Sequence, residues 1–76
     1  VFVGGDVVIG ANSSIATAAL NVTSSTKGVV FPRMTRAQRN AITLPAQGLM
    51  IFQTDFTPGL RVFNGTNWMR FTETID

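Results

Sequence analysis

The chain contains neither cysteine nor histidine in its 76 residues. At that length only one domain fits, and such a domain buries about 60% of the surface that its unfolded chain exposes. Small domains usually gain the missing stability from disulfides, a structural metal or a partner chain. Without cysteine a disulfide is excluded, and without cysteine or histidine a zinc site is not expected. Yet 45% of the residues are hydrophobic and only 13% are charged. That is more apolar material than a lone domain of this size can easily hide. The simplest resolution is burial between chains.

Charge excludes less than it first suggests. The sequence pI is about 10.6, but the net charge is only +2. The high pI reflects few acids and no histidine, not a dense positive field, so nucleic acid is not expected as a partner. No apolar run approaches the roughly 18 residues of a membrane span, so membrane insertion is not expected. The chain opens on Val1-Phe2-Val3 with no basic stretch and no initiator Met. It carries no signal-peptide pattern and is expected to be a piece of a longer protein. The lack of cysteine is compatible with assembly in a reduced cytoplasm.

The local pattern is mostly β. Val7-Val8-Ile9 is a β-branched run between Gly4-Gly5 and Gly10, followed by apolar patches at Leu20 and Val22 and at Val29-Val30-Phe31. Short strands separated by Gly, Ser and Asn turns fit this half. Thr35-Arg36-Ala37-Gln38 is a capping-box pattern that starts a helix at about 35–43, and Pro45 limits it to about two turns. Beyond Gln47-Gly48, three strands are expected at Leu49 to Thr54, Leu60 to Phe63 and Asn67 to Thr72. Asp55-Phe56-Thr57-Pro58-Gly59 carries turn chemistry. Asn64-Gly65 predicts a type I′ hairpin turn, which needs positive φ at both central residues. The third strand does not sort Trp68, Met69 and Phe71 cleanly onto one face, consistent with partial cover on both. A three-stranded meander of this kind is marginal alone and stable when packed on copies of itself.

Leu20-Asn21-Val22-Thr23-Ser24-Ser25-Thr26-Lys27-Gly28, then Phe31-Pro32-Arg33-Met34-Thr35, resembles a segment common in bacteriophage tail-fibre proteins. It is also similar to segments of fibre-like surface proteins of Bacteroidetes-type bacteria. The likeness continues through Gln38-Arg39-Asn40-Ala41-Ile42, Pro45 to Phe52, Thr54-Asp55, Leu60, Phe63-Asn64-Gly65 and Trp68. Gly5-Asp6-Val7-Val8-Ile9-Gly10 resembles the Gly-flanked shaft repeats that often precede such a module. Thr57-Pro58-Gly59 departs from the polar loop usual before the second strand. Nothing resembles the self-cleaving chaperone that sometimes follows. The resemblance implies a trimeric fibre segment near a receptor-binding or chaperone-bearing end.

No catalytic constellation is visible. The acids are Asp6, Asp55, Glu73 and Asp76, Lys27 is the only lysine, and a serine nucleophile would lack a base. Asp55 beside Thr54 reads as an Asx turn. A non-enzymatic chain with no cofactor is expected. Arg33, Arg36 and Arg39 are spaced three apart. They read either as a basic patch for phosphate or acidic glycan, or as a solvated face or inter-chain pairs. The resemblance includes Arg33 and Arg39, which are expected to reach across the trimer. Phe52, Phe63, Trp68 and Phe71 read as core or interface aromatics, with sugar stacking as the functional alternative. Leu49, Ile51, Phe63 and Trp68 join Arg33 and Arg39 as candidate interface residues. The turn residues Phe56, Thr57, Asn64, Thr66 and Asn67 are the candidate receptor contacts, because loops at a fibre end carry binding.

The expected fold is mainly β with one short helix. It is an intertwined homotrimeric fibre segment with a β-rich shaft over 1–30, and a collar helix and three-stranded antiparallel meander head over 31–76. The expected role is a structural and adhesive segment of a viral fibre, in the virion on the tail or another surface fibre. The receptor would be a cell-surface glycan or an outer-membrane component. The alternatives are a glycan-binding module on a bacterial cell surface and a purely structural trimerisation module.

Overall fold

The computed structural model describes residues 5–76, so the first residues of the expected shaft lie outside the described part. Strand β1 (Val7–Ile9) pairs in parallel with β2 (Leu20–Val22), Val7 opposite Leu20 and Ile9 opposite Val22. The ladder is extended by Val7 N–H to the Ala19 carbonyl and Thr23 N–H to the Ile9 carbonyl, both 2.8 Å. The connection 10–19 is shorter than the dozen or so residues that a parallel crossover usually takes. It succeeds because Gly10 turns the chain at φ +82, with the Thr23 carbonyl oxygen only 2.1 Å from where a Cβ would stand. Any other residue there would clash with that backbone.

A second sheet has the order β3-β4-β5-β6: β3 (Arg33–Met34), β4 (Met50–Gln53), β5 (Gly59–Phe63) and β6 (Trp68–Arg70). β4, β5 and β6 pair antiparallel in chain order, whereas β3 joins β4 in parallel. The crossover from β3 to β4 carries helix α1 (Arg36–Asn40). Val29-Val30-Phe31, read above as a third strand, is not one; pairing begins after Pro32, whose carbonyl accepts from Phe52 N–H at 2.9 Å. Proline lacks the N–H that would carry the ladder backwards, so it stands at the strand's entry.

Helix α1 begins as its sequence dictates. Gln38 N–H donates to Thr35 Oγ1 at 3.2 Å, and Thr35 N–H donates to Gln38 Oε1 at 2.8 Å, which closes both halves of the capping box. Asp55 does not form the expected Asx turn. Its Oδ1 accepts from Arg36 N–H at 2.8 Å, so a residue after β4 satisfies a further free donor of the helix start.

The Asn64-Gly65 turn also differs from expectation. Gly65 has φ +100, but Asn64 is not left-handed, so the turn is not type I′. Instead Asn64 N–H donates to the Asn67 carbonyl at 3.0 Å, and Asn64 Oδ1 accepts from the amides of Thr66 and Asn67 at 2.9 and 2.7 Å. The asparagine side chain replaces the backbone acceptor and moves the turn on to Gly65-Thr66.

Candidate assembly and contact surfaces

Strand alternation and register divide the second sheet into two faces. Ile51 lies opposite Arg61 and Arg61 opposite Arg70, Gln53 opposite Gly59, and Phe63 opposite Trp68. The other face carries Met50 opposite Val62, Val62 opposite Met69, and Phe52 opposite Leu60 and Arg33.

The first face is covered by its own chain, and its centre is polar. Gln53 is 1% exposed, Arg61 4% and Ile51 2%; Ile51 is the one buried large hydrophobic side chain among the described residues. Arg39 Nη1 donates to Gln53 Oε1 at 2.6 Å, and Gln53 Nε2 donates to the Asp55 carbonyl at 2.7 Å. Arg61 Nη2 donates to the carbonyls of Thr57 and Phe56 at 2.6 and 3.3 Å, and its Nη1 to Leu60 at 3.2 Å. No buried side-chain polar atom among the described residues lacks a partner, as a polar interior requires. Burial, helped by the nearby Arg36 and Arg61 cations and opposed by Asp55, holds the Arg39 guanidinium below its ordinary pKa.

This network anchors a strained loop. Phe56 and Thr57 have φ +47 and +68, a conformation that costs a non-glycine residue about 1–2 kcal/mol each. Both of their carbonyls are bound by Arg61. Phe56 is left 65% exposed, with the Arg36 guanidinium 4.3 Å from its ring centroid.

The second face is apolar and only partly covered by the described residues. None of Met50, Phe52, Leu60 and Val62 is buried, and Met69 is exposed. The segment before β3 widens this face into a groove of about 420 Å³, lined by Val29, Val30, Phe31, Arg33, Phe52 and Leu60. The chain's accessible surface is 6311 Å², whereas a compact monomer of its mass would expose about 4500 Å². Its radius of gyration is 14.9 Å, against about 11 Å for a compact chain of this length.

One further residue stands out. Leu44 is 92% exposed with φ +47, although it precedes Pro45, where extended backbone is the rule. Nothing among the described residues covers it.

The structure redistributes the candidate residues. The three arginines form no common patch: Arg33 lies on the apolar face, Arg36 stacks on Phe56, and Arg39 binds Gln53 with its guanidinium 5.6 Å from the Trp68 ring centroid. Phe63 and Trp68 meet edge-to-face at 5.3 Å on the helix-covered face. Leu49 is half-buried and brackets that region, its carbonyl accepting from Phe63 N–H. Ile51 is core within its own chain, with almost no surface left to offer another. Asn64, Thr66 and Asn67 share one exposed turn, separate in sequence from the Phe56-Thr57 loop. Gln53, Arg61, Leu44 and the row Met50–Val62–Met69 were not singled out from sequence. The alternation Leu60-Arg61-Val62, set against Met50 and Phe52 by register, is the signal that would have separated the faces.

Residues 8–76 match the family model described as a phage tail like trimerisation region. No curated protein and no solved structure matches the chain.

Proposed function

The chain belongs to the phage tail-like trimerisation family, and from that premise we propose that it is the trimerisation module of a viral fibre, in which each copy covers the apolar sheet face of a neighbour. The observation that carries this reading is the inverted cover of the second sheet: the polar centre at Gln53 and Arg61 is buried within the chain, while the apolar Met50, Phe52, Leu60 and Val62 are only half-buried and Met69 is exposed. The surplus of about 1800 Å² over a compact monomer is of the size an obligate subunit buries. The role is mechanical rather than catalytic, and the setting is a tail or other surface fibre of the virion.

The parallel pair β1-β2 supports a shaft reading for the first part of the chain. A two-stranded sheet is marginal by itself, and each of its strands offers an outer edge to further pairing. The helix and second sheet then form the collar and head.

Concentration-dependent unfolding tests the proposal. The thermal midpoint of a trimer rises with chain concentration. A midpoint independent of concentration over a hundredfold range, about 2.7 kcal/mol in mass action for a single linked site, contradicts it.

A second reading, attachment to a host surface, is favoured by one observation. Phe56 is held outward on a loop whose strain is stabilised by Arg61. A rigid exposed aromatic beside Arg36 suits a glycan or an outer-membrane component, and three copies on one trimer would add avidity.

A further inference from the structure

We propose that Leu44 of one copy seats in the groove between Val29, Val30, Phe31, Phe52 and Leu60 of the next, so that the trimer closes as a ring of three identical knob-and-groove contacts. This rests on the trimeric reading and specifies its geometry. Leu44 is almost wholly exposed and held in a left-handed conformation. The groove is apolar, open to solvent at Val29 and Val30, and Leu44 is not among the residues that line it. The chain therefore carries a knob and a hole that it does not join by itself.

Their placement suits a head-to-tail contact. Leu44 closely follows α1, whose Arg39 binds Gln53 on the polar face of the sheet, whereas Phe52 and Leu60 open the groove on the opposite face. A knob and a hole on different surfaces make a heterologous interface, which closes into a ring when the rotation allows it. A trimerisation module supplies that closure.

The groove has one charge at its edge, Arg33. A carboxylate carried by the knob would meet it favourably, and an ammonium would be repelled.

Because the chain has no cysteine, Leu44→Cys with Leu60→Cys gives a clean test. After oxidation, non-reducing gels should show covalently linked trimers, and each single variant should show none. Light scattering on the reduced double variant reads the oligomer independently. Reduced trimers that yield no inter-chain links on oxidation overturn the knob-and-groove contact and leave the trimer standing. A reduced double variant and parent chain that are both monomeric overturn the trimeric reading as well. The charge variants give a second reading that does not depend on disulfide geometry. L44E should associate roughly tenfold more tightly than L44K, a difference of about 1.4 kcal/mol, and R33E should reverse the order. Equal association of L44E and L44K overturns the proposal.

Discussion

The Arg61 guanidinium donates to the Thr57 carbonyl oxygen at 2.6 Å, across a hairpin loop in which Phe56 and Thr57 are both left-handed. A buried cation thus substitutes for the glycines that such a loop would ordinarily use. Arg61→Ala would leave the Thr57 carbonyl unpaired and the Phe56 carbonyl with only the 3.4 Å bond from Gln53 Nε2, and would open a cavity beside them. The expected loss is about 3 kcal/mol, measured by denaturant unfolding at fixed chain concentration. Thr57→Gly should leave the midpoint unchanged or raise it, because it removes the Cβ conflict at positive φ.

The start of α1 gives a smaller, local effect. Thr35→Ala removes the acceptor for Gln38 N–H and should cost about 1 kcal/mol. Amide exchange at Gln38 should accelerate in the alanine variant and stay slow in Thr35→Ser. Equal protection in all three proteins would mean that the capping box does not hold this helix.

The two faces of the sheet should respond differently to charge. Val62 is half-buried on the apolar face and Asn67 lies in an exposed turn. Val62→Lys should abolish association at micromolar chain concentration while leaving the β-sheet circular dichroism intact, since a lysine in a dry interface has no partner. Asn67→Ala should leave the oligomer unchanged. A Val62→Lys protein with the parent's mass would remove the apolar face from the interface.

If the loop at Phe56 meets a host surface, Phe56→Ala should abolish adsorption to host cells and leave the mass in solution unaltered. Unimpaired adsorption would leave the module a purely structural role.

Much of this chain was legible in its sequence where the signal is local. Thr35 and Gln38 form the expected capping box, and the strong β segments around Ile51, Val62 and Trp68 are strands. The parallel pairing of β3 with β4 was not legible, because Arg33-Met34 is too short to carry a period and its partner lies far along the chain. Nor was the inversion of the sheet. Gln53 and Arg61 invite a solvent-facing reading, and only the folded loop supplies the carbonyls that let them be buried. With Met50, Ile51 and Phe52 all apolar, alternation alone does not say which face the chain covers itself. The Asn64-Gly65 turn lay where expected but took another geometry, because the Asn64 side chain competes for the amides of the loop.

The partly covered apolar face of Met50, Phe52, Leu60, Val62 and Met69 makes self-association the property on which everything else depends. Its measurement is the molar mass of the chain in solution by light scattering. A mass close to three times the 8.2 kDa of one chain is predicted. A mass of a single chain at the concentrations used, with the β structure intact, would contradict it.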